Sequence, residues 1–95
     1  MKRSTTHIRT SLASSYIGKL CRHFRHKIET EYTETTGRAV FPQGICSMTA
    51  QPEMLVFEIE ATNTEALEQI KGVLIRHLLK FSYKETLEIE WQDDY

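Results

Sequence analysis

Apolar and polar positions change period several times along this chain, and each change marks an element. Residues 3–10 alternate and are rich in Thr and Ile, which predicts a first strand. From residue 12 the period lengthens. Leu12, Tyr16, Leu20 and Phe24, flanked by Ala13 and Ile17, share one face of a helix over 12–26, with Ser11 placed to cap it. After Lys27 the period returns to two: Ile28, Thr30 and Tyr32 alternate with Glu29 and Glu31. Residues 34–37 read as a hairpin turn in which Gly37 supplies a positive φ. Strands over 38–41 and 45–50 follow, separated by Pro42-Gln43-Gly44, and Gln51-Pro52-Glu53 turns the chain again.

The clearest strand is 54–61, with Leu55, Phe57, Ile59 and Ala61 on one side and Glu58 and Glu60 on the other. Thr62 or Asn63 can cap a second helix, and Leu67, Ile70, Leu74, His77, Leu78 and Phe81 form its apolar face. A last strand over 86–91 buries Leu87, Ile89 and Trp91 and exposes Glu88 and Glu90. The order is β-α-β-β-β-β-α-β. Strands with one apolar face need a cover, and two amphipathic helices on the same side supply it. The expectation is an α+β two-layer sandwich: an antiparallel sheet with both helices on one face. A faint echo runs through it, Arg22-His23 before Ile28–Tyr32 and Arg76-His77 before Leu87–Trp91, as two helix–strand halves related by a pseudo-twofold would give.

Composition leaves that picture intact. The 95 residues, 40% hydrophobic and 26% charged, suit a single domain over 1–95. No secretory signal or membrane-length apolar run is visible, and two cysteines, Cys21 and Cys46, are too few for a disulfide scaffold. The reading is a soluble, cytoplasmic protein with reduced thiols. Charge does change the picture, because the net value of −1 conceals an asymmetry. Residues 1–27 hold Lys2, Arg3, Arg9, Lys19, Arg22, Arg25 and Lys27 and no acid, while every acid lies beyond them.

Several segments together resemble a known bacterial family. Leu20-Cys21-Arg22-His23-Phe24-Arg25-His26-Lys27 is similar to the helix-end signature of the domain of unknown function numbered 2218. Phe41-Pro42-Gln43-Gly44-Ile45-Cys46 resembles its central turn, and Arg76–Phe81 followed by Leu87–Trp91 resembles its C-terminal end. The resemblance covers nearly the whole chain, and no motif in it is chemically diagnostic. It implies a fold like the C-terminal domain of phosphohexomutases and the half-saddle of the TATA-binding protein. It also implies an accessory role beside siderophore-interacting reductases, hence a link to iron metabolism by association alone.

Three residue sets are candidates for function. Lys19, Arg22, Arg25, His26 and Lys27 form a basic helix face that suits an acidic protein partner or an anionic small ligand, although cations near a helix C-terminus also suit the macrodipole without any ligand. His23, His26 and His77, near Cys21 and Cys46, are candidate metal ligands if the helices pack side by side; their spacing matches no standard zinc module, and buried structural cysteine is the commoner reading. Gly72, Ile75 and Leu79, on the polar side of the second helix, could form a homodimer contact, although scattered exposed aliphatics are common. An open sheet face bearing Glu29, Glu31, Glu58, Glu60, Glu88 and Glu90 would repel phosphates, which argues against nucleic acid. No nucleophile elbow, phosphate loop or dinucleotide fingerprint occurs. The expectation is therefore a non-catalytic accessory or interaction domain with no cofactor, the alternative being a small metal- or anion-binding protein.

Overall fold

The computed structural model describes residues 1–94. The chain runs β1 (Lys2–Arg9), α1 (Ala13–Phe24), β2 (Glu29–Tyr32), β3 (Thr36–Phe41), β4 (Gly44–Gln51), β5 (Met54–Ala61), α2 (Thr64–Phe81) and β6 (Trp91–Asp94). It is an α+β protein in the order that the periodicities predict. The six strands form one antiparallel sheet, β2-β3-β4-β5-β1-β6, with β1 inserted between β5 and β6. Cross-strand rows define its two faces. The row Ala39, Cys46, Ile59 and Ser4 is buried, as are Gly37, Met48, Phe57 and Thr6. Against these rows pack Tyr16, Ile17, Leu20 and Cys21 of α1 and Leu67, Ile70, Leu74 and Leu78 of α2, in one core cluster. Each fully buried Leu or Ile contributes roughly 1.5–3 kcal/mol, so the contact of the two helix faces with the sheet is a large source of stability.

Several local expectations give way to specific contacts. Ser11 does not cap α1: its first residues follow an ST-type turn in which Thr10 Oγ1 accepts from the Leu12 N–H at 3.1 Å. Asn63 does cap α2, accepting from the Ala66 N–H at 2.8 Å. Gly37 lies inside β3, not in a turn, and no glycine has a positive φ. It is needed for space instead, because a Cβ there would sit 2.8 Å from Ile17 Cγ2 and 3.1 Å from Cys21 Sγ.

The final strand is displaced. Residues 86–90 are irregular, and pairing with β1 begins only at Thr6 opposite Trp91. Leu87 and Ile89 are half-buried and still pack on the core. Specific bonds hold this C-terminal segment. Thr6 Oγ1 donates to the Glu90 carbonyl at 2.8 Å, and Glu85 Oε2 accepts from Tyr16 Oη and from Thr10 Oγ1. Burial, and then the Glu85 carboxylate, push the Tyr16 phenol up to about 12. Lys71, buried on α2, donates to Asp93 at 2.6 Å and to Glu68 at 2.8 Å, and its ammonium lies 5.4 Å from the Trp91 ring centre. A buried ammonium is tolerated only with such partners.

The uncovered sheet face is not the acidic surface that alternation suggested. Glu88 and Glu90 are outside the sheet, and Glu29, Glu31 and Glu60 sit beside bases. One row reads Glu31, Arg38, Ser47, Glu58, Thr5; the next ends Glu60, Arg3, Asp94. Arg3 Nε lies 3.0 Å from Glu60 Oε2, and Arg38 Nη1 lies 3.9 Å from Glu29 Oε2. Antiparallel pairing places opposite charges side by side, so the face is mixed in sign.

Candidate functional site

The two helices end close together. His23, in the last turn of α1, has its ring centre 4.5 Å from that of His77 on α2, with 41° between the ring planes. The two Arg-His pairs of the internal echo thus become neighbours in space. His77 is fixed by a 2.7 Å bond from its Nδ1 to the Val73 carbonyl one turn back. That bond requires the proton on Nδ1 and leaves Nε2 as the acceptor in the neutral ring. Aromatic edges surround the pair: Phe24 is 5.4 Å from His77 and 5.7 Å from Phe41, and Phe81 is 6.1 Å from His23.

Beside the imidazoles lies a cavity of about 250 Å³ lined by His23, Phe24, Lys27, Ile28, Phe41, Val73, Arg76 and His77. A second cavity of about 310 Å³ adjoins it, lined by Phe41, Pro42, Gln43, Ala66, Gln69, Ile70 and Val73. Phe41 and Val73 line both, so the two cavities are neighbours along α2, and together they are called the groove below. Neither lining contains an acid. Lys27, Arg76 and nearby Lys80 make no ion pair among the described residues. Two helix C-termini bring about half a negative charge each, which three uncompensated cations exceed. The result is a local excess of positive charge, and His23 registers it. Its pKa is lowered from 6.5, first by partial loss of solvent and then by His77, Lys80, His26 and Lys27.

Of the sequence-derived sets, the structure unites His23, Lys27 and His77 and separates the rest. Lys19, Arg25 and His26 are exposed and line no cavity with them. Arg22 turns to the other side of α1, where Nη1 donates to Tyr32 Oη at 3.4 Å in a small cavity with Ser14, Ser15 and Glu34. Among the described residues no three His, Cys, Asp or Glu converge as metal ligands. Cys21 and Cys46 are fully buried, and burial raises the pKa of both thiols, as it does for inert core cysteines. On α2, Ile75 is half-buried against its own core, Leu79 is exposed, and Gly72 faces open space. Arg76, Phe41 and Val73 were not among the candidates. Arg76 is marked by the repeated Arg-His pair and Phe41 by the family's central turn, but neither signal assigns a role, and Phe41 reaches the groove only through the fold.

The family comparison fits this architecture. The profile described as an uncharacterized protein conserved in bacteria (DUF2218) matches residues 5–92. The chain belongs to this bacterial family. The NMR structure of PA4090 from Pseudomonas aeruginosa is similar to it throughout, with a TM-score of 0.83 at 35% identity, covering 97% of this chain and 96% of that one. No curated protein matches the sequence. Among the described residues, no helix of this family member is long and apolar enough to cross a membrane.

Proposed function

We propose that this family member is a cytoplasmic, non-catalytic accessory domain that binds an anionic partner in the groove between the ends of α1 and α2. The observation that carries the reading is a lining with Lys27, Arg76 and two imidazoles, no acid, and, among the described residues, no ion pair for either cation. Cations gathered at one site raise the local concentration of anions and bind them through charge-assisted hydrogen bonds. The anion's setting would be the siderophore-linked iron metabolism that the family resemblance implies. The test is an NMR titration of ¹⁵N-labelled protein with citrate. Saturable shifts at His23, Lys27, Arg76 and His77 are expected, abolished in Lys27→Glu/Arg76→Glu and retained in Arg22→Glu/Arg25→Glu. Undiminished shifts in the first variant would sink the reading.

A further inference from the structure

The groove is unequal at its two ends, and that inequality constrains what fills it. One end carries Lys27, Arg76, His23 and His77. The other, past Phe41 and Val73, is walled by Pro42, Ala66 and Ile70, with Gln43 and Gln69 its only polar side chains. We propose that the groove binds a medium-chain acyl carboxylate, head at the cationic end and chain along α2. This rests on the anion-binding reading above and goes beyond it by naming the ligand's apolar part.

Three observations carry the proposal. Charge falls off along the groove in one direction, so a compact polyanion would leave the apolar half empty and a neutral lipid would leave Lys27 and Arg76 unpaired. The lining residues of α2 run from Ala66 to His77, about 16 Å at 1.5 Å per residue, which a single-ring acid would not fill. The walls also offer no ladder to an extended peptide. Strands β3 and β4 are paired on both sides, and the open edges of the sheet belong to β2 and β6. Peptide N–H and C=O groups entering this groove would lose water without gaining strand partners. An acyl chain has no such groups to satisfy. The head group has more to gain here than charge alone. His23 is held toward its neutral form first by partial loss of solvent and then by His77, Lys80, His26 and Lys27, and an arriving carboxylate favours its protonation.

The experiment is a titration of the intact chain, by ¹⁵N chemical shifts, with acetate, butyrate and octanoate below micellar concentration. Octanoate is expected to bind at least ~10-fold tighter than butyrate, because each methylene taken from water favours binding up to about 4-fold. Its shifts should extend to Ala66, Ile70 and Val73, whereas acetate should perturb only the cationic end. Gln69 is exposed, so Gln69→Trp can plug the far compartment without disturbing the core; it should remove the octanoate advantage and leave acetate unchanged. If octanoate binds no tighter than acetate while citrate still titrates the cations, the acyl proposal fails and the anion-binding reading stands. If no anion shifts His23, Lys27, Arg76 or His77, both fail. Octanoate binding that Gln69→Trp leaves intact overturns the placement of the chain along α2, and a preference for an acidic peptide over octanoate overturns the ligand class.

Discussion

Gly44 tests the packing that shapes the groove. It opens β4 opposite Ala61, where β5 ends and α2 crosses the sheet. A Cβ at this position would lie 2.5 Å from the Glu60 carbonyl oxygen, 2.6 Å from Ile70 Cδ1 and 3.1 Å from Ala61 Cα. Ile70 can rotate aside, but the carbonyl is held in the β4–β5 ladder, so Gly44→Ala must splay the strands or lift α2. Overpacking of this kind costs about 1–3 kcal/mol, and the upper end applies because the obstruction is backbone. At roughly 4–8 °C per kcal/mol for a domain of this size, Tm should fall by about 10–20 °C. Gly72 is the internal control. It sits in the middle of α2 with nothing within 4 Å of a built Cβ and a negative φ, so Gly72→Ala should stabilise by about 1 kcal/mol through helix propensity. Urea and thermal unfolding followed by far-ultraviolet circular dichroism would measure both. A Gly44→Ala protein melting with the wild type would refute the close approach of α2 to β4–β5. A destabilised Gly72→Ala would mean that something covers that face in solution, as a second copy meeting at Gly72 and Leu79 would.

Two further predictions concern the charged groups. Lys71→Met should loosen β6: it removes the ammonium shared by Asp93 and Glu68 and should cost about 1–3 kcal/mol, read as faster hydrogen exchange at residues 91–94, with unchanged exchange contradicting the clamp. Burial opposes the Lys71 charge, but its bonds to Asp93 and Glu68 prevail and raise its pKa above 10.5. The stabilisation is therefore complete below that pH and is lost as pH rises through the folded value, an alkaline loss that Lys71→Met should lack. For His23 the sign reverses. Its folded pKa lies below 6.5, so stability should rise with pH across the window between the folded value and 6.5, and His23→Gln should flatten that rise. A ring titration for His23 at or above 6.5 without ligand would contradict the cationic surroundings.

Much of the fold was legible because each element carries one period. The β3–β5 meander and α2 follow from alternation and from the Asn63 cap; Leu67, Ile70, Leu74 and Leu78 are buried as the pattern selects, whereas His77 and Phe81 are only half-buried and Ala66, Lys71 and Val56 are buried besides. The failures have physical reasons. Alternation at 87–91 reflects half-burial against the core, but a strand also needs a partner, and β1 offers its edge only from Thr6 to Arg3. Gly37 looks like a turn residue because sequence records the missing side chain and not the reason for it, which is the approach of Ile17 and Cys21. The acidic sheet face was an artefact of reading strands singly: Arg3 and Arg38 join it only once register is known. For the site, helical spacing grouped Lys19, Arg22 and Arg25 with Lys27. Only the packing of α1 on α2 separates them and joins Lys27 to Arg76 and the two histidines.

The central claim is that the cations at the α1–α2 end form a binding site and not merely a solvated, dipole-compensating surface. The most direct measurement follows the imidazole resonances of His23 and His77 together with backbone amides during an octanoate titration at fixed pH. The account predicts saturable shifts confined to residues lining the groove and a rise in the His23 pKa on saturation. Shifts that are linear in concentration and spread over Arg3, Arg9 and Arg38 as much as over Lys27 and Arg76 would contradict it.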